Sequence, residues 1–172
     1  GRVERFRSMF PAHTSERRYG GVLADVVEPQ RPSGAPREPR VLINLHGGGF
    51  TWGARNGALI ESIPVASLSG IPVVSVDYRL GPENVFPAAT DDVEAVYRAL
   101  LEDHRPDQIG IYGCSAGGIL TAQVIARLID KGLPLPGAIG ILCAGFVPPD
   151  GDSLYFAPAL MGTTVPKEPM RI

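Results

Sequence analysis

Four runs of apolar residues recur along the chain and predict buried β-strands. They lie at Val41–Leu45, 72–76, 109–112 and 138–143. Each run is continuous rather than alternating, which is typical of strands that are buried on both faces of a parallel sheet. An earlier run at 22–27 predicts one more strand.

Helical periodicity separates these strands. Apolar residues recur three and four positions apart over 90–101, where Thr90 is the predicted N-cap. Residues 116–131 show a second, more apolar helical pattern, and residues 58–69 show a third, which Pro64 must begin or kink. Strands that alternate with helices predict a right-handed, mostly parallel α/β sheet.

The chain divides into three parts by composition. Residues 1–20 are polar and rich in arginine, which predicts an N-terminal arm or the end of a helix. Residues 21–145 contain all of the predicted strands and therefore form the core. Residues 146–172 contain several prolines, and no further strand is evident there. We therefore expect the start of a cap or lid, or a connecting segment.

Composition and charge narrow the class of protein. With 172 residues, of which 44% are hydrophobic and 20% charged, the chain is long enough for one globular domain. A net charge of −2 without a basic block argues against nucleic-acid binding. No apolar stretch reaches the ~18 residues of a membrane span, and the first residues lack the apolar centre of a signal peptide. We therefore expect a cytoplasmic protein.

The histidines and cysteines show no metal-ligand spacing. The three histidines are scattered and no C-x-x-C occurs, so we expect neither a metal nor another cofactor. Cys114 and Cys143 each end an apolar run, and two buried thiols are the simplest interpretation. A disulfide is the alternative because the two strands could be neighbours, although disulfides are typical of secreted, core-poor domains.

Two glycine-rich motifs carry the candidate chemistry. Gly-Cys-Ser-Ala-Gly at 113–117 lies between a predicted strand and a helix, and His-Gly-Gly-Gly-Phe at 46–50 follows another strand. A sharp strand-to-helix turn projects a serine hydroxyl, and glycines two residues away let neighbouring backbone approach, so Ser115 is the candidate nucleophile. Backbone N–H groups stabilise the oxyanion of acyl transfer. The candidate donors are the N–H groups of Gly48, Gly49 and Ala116.

Each motif also has a plainer interpretation. With 21 glycines in the chain, a G-x-S-x-G string arises by chance in roughly one such sequence in ten, and both motifs could be simple tight turns. A phosphate-binding loop is not supported, since the chain has neither G-x-x-x-x-G-K-[ST] nor a G-x-G-x-x-G that opens a helix. Phe50 and Trp52 follow the glycine run, and they either line an acyl or alcohol pocket or belong to the core.

Together with a third block, the two motifs resemble the hormone-sensitive-lipase-like family of α/β-hydrolases, the carboxylesterases with an HGGG motif. The third block is Asp-Tyr-Arg-Leu-Gly-Pro-Glu at 77–83, followed by Phe-Pro-Ala-Ala at 86–89 and by the acidic pair Asp91 and Asp92. The match covers about residues 40–145. It implies an α/β-hydrolase fold, a mostly parallel sheet flanked by helices, that is incomplete on its C-terminal side.

The resemblance also implies roles by position. It makes Ser115 the nucleophile, with the oxyanion-hole donors named above. Cys114 departs from the acidic residue that is common before the serine, although its side chain is not required for the chemistry. Asp91 and Asp92 look like helix-start charges rather than a catalytic pair. The other matched polar residues look like scaffold that fixes the sheet edge and the elbow through hydrogen bonds: Asp77, Tyr78, Arg79 and Glu83.

One part of the family pattern is missing. In this fold the triad follows the order Ser, then Asp or Glu, then His, but no histidine follows Ser115. We therefore expect the N-terminal portion of a hydrolase whose acid and histidine come from further sequence or another chain, and we expect the 172 residues alone to be inactive. The predicted function of the complete protein is hydrolysis of a small acyl ester. Two alternatives stay open: a ligand-binding member of the fold, as the family's gibberellin receptors are, and an inactive truncated product.

Overall fold

The computed structural model describes residues 1–36 and 38–145. In chain order, its elements are α1 (Arg2–Met9), β1 (Ala12–Tyr19), β2 (Val22–Pro29), β3 (Val41–Leu45), α2 (Asn56–Ser69), β4 (Val73–Val76), α3 (Ala88–Leu100), β5 (Ile109–Cys114), α4 (Ala116–Asp130) and β6 (Ala138–Leu142). A short 3₁₀ turn, Pro106–Gln108, precedes β5. Within this part of the chain, no helix has the length and apolar character that crossing a membrane requires.

The strands form one mixed sheet in the order β1-β2-β4-β3-β5-β6. Strand β3 lies parallel to β4 and β5, and β5 lies parallel to β6. Strand β2 pairs antiparallel with both β1 and β4. The prediction of a mostly parallel α/β sheet flanked by helices is therefore confirmed, and the first two strands add an antiparallel margin.

The two faces of the sheet pack against different helices. In β3, Ile43 lies in the core cluster that α3 and α4 cover, whereas Leu42 packs against the cluster formed with α1 and α2. Neighbouring residues of β4 divide in the same way, with Val74 on the first side and Val73 on the second. Both faces are apolar because both are covered, and this explains why each run in the sequence is continuous.

The structure contains one strand that the sequence pattern did not predict. Strand β1 lies within the predicted arm of residues 1–20 and carries mostly exposed polar side chains, so it has no apolar run. Backbone pairing with β2 along its whole length holds it in the sheet. Gly20 and Gly21, both at positive φ, form the two-residue connection to β2. This Gly-Gly pair is the sequence signal that indicates a hairpin.

Two predicted helix starts need correction. Helix α3 begins at Ala88, so the prediction that Thr90 caps it is wrong. Thr90 is buried inside the helix, where its hydroxyl lies 3.5 Å from Gln123 Oε1 of α4 rather than bonding to a helix N–H. Helix α2 runs from Asn56 through Pro64, so the proline does not begin it.

The C-terminal edge of the described sheet differs from the expectation in two respects. Strand β6 ends at Leu142, one residue earlier than the run at 138–143 predicts. Among the described residues no strand pairs with its outer edge. Cys143 follows β6 and is exposed, and Cys114 is half-buried, so the prediction of two buried thiols is wrong, and both thiols are free. The segment at 146–172 lies outside the described residues.

Candidate active site

Ser115 occupies a sharp turn between β5 and α4. Its φ of 54° and ψ of −119° lie in a region that residues with a side chain rarely adopt. Two backbone hydrogen bonds hold the turn: Ser115 N donates to Leu142 O at 2.9 Å, and Ile119 N donates to Ser115 O at 3.1 Å. The serine is exposed, as a nucleophile that meets a substrate must be.

Gly113 and Gly117 let this turn pack against the end of β3. A Cβ built on Gly117 would lie 1.7 Å from Leu45 O, and a Cβ built on Gly113 would lie 2.7 Å from the same oxygen. No side chain fits at either position unless the backbone moves. The glycines on both sides of the serine are therefore required by backbone contact, as the motif predicts.

The loop after β3 lies directly against the serine. A Cβ built on Gly47 would stand 3.5 Å from Ser115 Cβ and 3.0 Å from Cys114 O. The loop then turns back on itself, because the N–H groups of Thr51 and Trp52 both donate to Gly48 O at 3.1 Å. The two glycine-rich motifs, far apart in sequence, therefore meet at one edge of the sheet.

Among the described residues, none of the three predicted oxyanion-hole donors has an acceptor for its N–H group. Among residues 1–36 and 38–145, no acceptor takes the N–H of Gly48 or Gly49. The N–H of Ala116, the first residue of α4, has no acceptor within its own helix. By contrast, the N–H of Gly47 donates to Glu61 Oε1 at 3.0 Å. Backbone amides without a protein acceptor, next to the nucleophile, are what an oxyanion hole requires.

A buried polar network between α2 and the sheet supports the glycine loop after β3. The sequence analysis missed this network. Glu61 of α2 accepts the Gly47 N–H with one oxygen and Asn44 Nδ2 with the other, at 3.3 Å. Asn44 Oδ1 in turn accepts the hydroxyls of Ser75, at 2.9 Å, and Ser62, at 3.3 Å. A fully buried asparagine inside an apolar strand is the signal that could have revealed this network.

His46 is part of the loop scaffold. Its ring is fully buried and stacks on Tyr78 with the ring centroids 4.3 Å apart and the planes inclined by 10°. The Tyr78 hydroxyl donates to His46 O at 2.6 Å. Burial lowers the pKa of His46, which keeps the imidazole neutral near pH 7. Tyr78 therefore fixes the start of the glycine loop, in agreement with the scaffold role that the resemblance implies.

The other scaffold candidates differ in their contacts. The side chain and N–H of Arg79 both donate to the buried carboxylate of Asp92, with Nε–Oδ1 at 2.9 Å and N–Oδ2 at 2.8 Å. Asp77 N donates to Leu23 O at 3.0 Å, which ties this segment to β2. Glu83 is exposed. Asp92 thus anchors the segment after β4 and is more than a helix-start charge.

The two aromatic candidates have different surroundings. Phe50 is half-buried, contacts the main core cluster and lines a cavity of about 200 Å³ next to Gly49. Phe50 O also accepts the N–H of Gly81 at 2.7 Å, which joins the loop to the segment after β4. The Trp52 side chain is 71% exposed and does not line this cavity. Of these two side chains, only that of Phe50 lines the cavity next to Gly49.

None of the three histidines forms a hydrogen bond with Ser115 within the described residues. His104 Nδ1 lies 2.8 Å from Pro39 O. His104 and His13 both line a separate cavity of about 340 Å³, at the end of the sheet where β3 begins. The larger cavity is thus at the opposite end from the serine. The described part of the chain also contains no cluster of three or more side chains suited to a metal.

Comparison with known proteins identifies an alpha/beta hydrolase fold. A family model described as alpha/beta hydrolase fold matches residues 42–162. An acetyl-hydrolase of Streptomyces hygroscopicus is 37% identical over 120 residues, which are 69% of this chain and 38% of that protein. The esterase LipU of Mycobacterium tuberculosis is 36% identical over 132 residues, 73% of this chain and 44% of its own. A gibberellin receptor of Arabidopsis thaliana is 34% identical over 110 residues, 58% of this chain and 30% of the receptor.

Solved structures give the same result. An esterase from the bacterial hormone-sensitive lipase family matches with a TM-score of 0.72 and 30% identity, over 93% of this chain and 54% of that one. A hormone-sensitive lipase from a metagenome library matches with a TM-score of 0.68 and 34% identity, over 80% of this chain and 48% of that one. The chain therefore spans less than half of the sequence relatives named above and about half of these structures. It belongs to the hormone-sensitive-lipase-like family of α/β-hydrolases.

Proposed function

We propose that the chain carries the nucleophile and the oxyanion hole of a carboxylic-ester hydrolase that works through an acyl-enzyme on Ser115. The observation that carries the proposal is the contact between two motifs. The strained turn at Ser115 lies against a glycine loop whose next two N–H groups have no acceptor among the described residues. Esterases among the relatives support the same class of reaction.

Acylation uses the groups that meet at this edge of the sheet. Ser115 Oγ attacks the ester carbonyl carbon, and its proton passes to a general base. The carbonyl oxygen becomes an oxyanion, which the N–H groups of Gly48, Gly49 and Ala116 stabilise. Collapse of the tetrahedral intermediate releases the alcohol and leaves the acyl group on the serine, and water then hydrolyses this acyl-enzyme.

The general base comes from residues other than the described ones. His46 is buried against Tyr78, whereas His13 and His104 lie at the other end of the sheet. Because the relatives are more than twice as long as the part that this chain matches, we assign the acid and the histidine to a C-terminal portion of the complete protein. Residues 1–172 alone should then keep only the small rate enhancement of an oxyanion hole without a base.

The cavity beside Gly49 suggests the size of the substrate. Its volume of about 200 Å³ and the apolar part of its lining, which includes Phe50, Val85 and Phe86, fit a short acyl or alcohol chain. The substrate class that we propose is therefore a small acyl ester, and no cofactor takes part.

A fluorophosphonate probe tests the proposal in the complete protein, because it reacts with a serine that an adjacent base activates. We expect one adduct, on Ser115, located by tandem mass spectrometry. Ser115→Ala should abolish both the adduct and the turnover of a short p-nitrophenyl ester, and Ser67→Ala, a half-buried serine of α2, should leave both intact. An adduct on Ser62, Ser67 or Ser153 would contradict the assignment.

The similarity to a gibberellin receptor favours one alternative, a ligand-binding protein without turnover. The same experiment separates the two. A binding protein leaves Ser115 unlabelled and the ester intact, although its fold and its cavity are unchanged. Labelling together with steady turnover identifies the hydrolase.

A further inference from the structure

The two cysteines lie at the ends of adjacent parallel strands, beside the nucleophile. Cys114 is the last residue of β5 and pairs with Leu142 of β6, and Cys143 follows Leu142 directly. Parallel strands lie about 4.8 Å apart and rise about 3.3 Å per residue, so the two cysteine Cα atoms are roughly 5.8 Å apart. Disulfides typically join Cα atoms that are ~4.4–6.8 Å apart, and most often about 5.5–6 Å.

The backbone after β6 turns the second cysteine toward the first. Successive residues of a strand point to opposite faces, so a regular strand would direct Cys143 away from Cys114. Cys143 instead has a φ of 53°, which ends the strand in a left-handed turn. After burial, the neighbouring Cys143 thiol is the next cause of the raised pKa of Cys114. Next to them, a Cβ built on Gly118 would lie 2.8 Å from Ala144 Cβ, so this segment packs on the start of α4.

We propose that Cys114 and Cys143 form a reversible modification site, at which a low-molecular-weight disulfide converts the two thiols into one intramolecular disulfide that ties the Ser115 turn to the end of β6.

The reaction is two successive thiol–disulfide exchanges. The Cys143 thiolate is exposed and attacks one sulfur of the small disulfide, forming a mixed disulfide and releasing the first small thiolate. Burial raises the pKa of the Cys114 thiol, so Cys114 reacts second, as the resolving residue. Its thiolate attacks the Cys143 sulfur and releases the second small thiolate. The two released thiolates take up the two cysteine protons, and two electrons pass from the cysteines to the reagent.

The new bond would brace the nucleophile turn. The hydrogen bond from Ser115 N to Leu142 O, at 2.9 Å, joins the residue after Cys114 to the residue before Cys143. A bond between residues 114 and 143 closes a loop of about 30 residues, which should raise the Tm of the complete protein by roughly 5 °C. It should also slow hydrogen exchange of the Ser115 amide, since opening that hydrogen bond would require the braced strand ends to separate.

The test treats the purified complete protein with oxidised glutathione or with dithiothreitol and digests it with trypsin without reduction. We expect residues 99–127, which contain Cys114, to be linked to residues 132–167, which contain Cys143, only after oxidation. Oxidation should also raise Tm and slow amide exchange in the peptide that covers Ser115, and dithiothreitol should reverse all three changes.

Cys143→Ala is the matched control, because it removes one partner and leaves Ser115 and the free amides untouched. It should show no linked peptide and no oxidation-dependent change in Tm or exchange, and its ester turnover should equal that of the reduced parent. A glutathione adduct on Cys143 with Cys114 still free would overturn the proposal. An oxidised parent with an unchanged Tm would equally overturn the bracing role. Both outcomes are readable even if the protein has no esterase activity.

Discussion

Replacing Gly117 with alanine tests whether the serine turn depends on backbone contact with β3. Gly117 is the second residue of α4 and has an ordinary helical φ, so alanine meets no conformational penalty there. On helix propensity alone, alanine would stabilise the protein by about 1 kcal/mol. The added Cβ, however, lies 1.7 Å from Leu45 O and 2.8 Å from His46 O, both backbone atoms that cannot rotate away.

The size of the effect follows from this overlap. Ordinary contacts at a Cβ begin at 3.4 Å, so the turn and the end of β3 must separate by more than 1 Å. Overpacking costs ~1–3 kcal/mol where side chains can adjust, and the upper end applies where backbone meets backbone. A loss of about 3 kcal/mol should lower the Tm of the complete protein by roughly 5 °C. The displaced serine should also lose at least about 100-fold in kcat/KM.

Gly57→Ala provides the matched control. Gly57 is likewise the second residue of its helix, α2, but a Cβ built on it meets no atom within 4 Å. We expect Gly57→Ala to raise Tm by a few degrees and to leave turnover unchanged. Calorimetry and a short p-nitrophenyl ester assay on the complete protein measure both effects. If Gly117→Ala behaves like Gly57→Ala in both assays, the turn does not pack on β3 as described.

Three further predictions follow from other contacts. Gly49→Val should lower kcat by about 10²–10³-fold in a folded protein, because a side chain at φ 60° distorts one oxyanion-hole donor, and an unchanged kcat would show that this amide is not used. Glu61→Gln loses one of the two hydrogen bonds that Glu61 accepts, from the Gly47 N–H or from Asn44. We expect kcat to fall about tenfold with little change in KM. Equal changes in kcat and KM would indicate an effect on substrate binding instead. Burial acts to raise the pKa of Glu94, but hydrogen bonds from three cationic side chains outweigh it and hold that pKa at about 2. Its contribution to stability is therefore complete above pH 4.5 and is lost as the pH falls toward 2, so Glu94→Gln should flatten this acid limb of Tm against pH; an unchanged limb would argue against the ion-pair cluster.

The sequence predicts the central strands well because their physical cause is local. A strand covered on both faces must be apolar at every position, and β4 is buried along its whole length. Strand β1 has no such cause: it lies at the sheet edge and is held by backbone pairing, which any residue except proline can provide. Only the Gly20-Gly21 connection indicates this strand in the sequence, and a search for apolar runs does not detect such a connection.

The candidate site divides in the same way. The glycines around Ser115 can be predicted from the sequence because the turn itself has no room for a side chain at these positions. The hydrogen-bond network that supports the glycine loop cannot be predicted in this way, because Asn44 and Glu61 are 17 residues apart and meet only when α2 packs on the sheet. Interactions that depend on the packing of two elements require the three-dimensional arrangement, whereas demands within one turn leave a motif.

The register of two strands explains how the separate motifs come to act together. Leu45 of β3 pairs with Gly113 of β5, so two residues further on, where both chains have left the sheet, Gly47 stands opposite Ser115. The 3.5 Å between the Gly47 Cβ position and Ser115 Cβ is what this register produces. A shift of one residue would place the loop about 3.3 Å from its present position and reverse the faces of the β5 side chains. The apolar residues that set the pairing, Ile43 and Ile111 in register at the strand centres, therefore align the candidate hole with the serine although neither touches it.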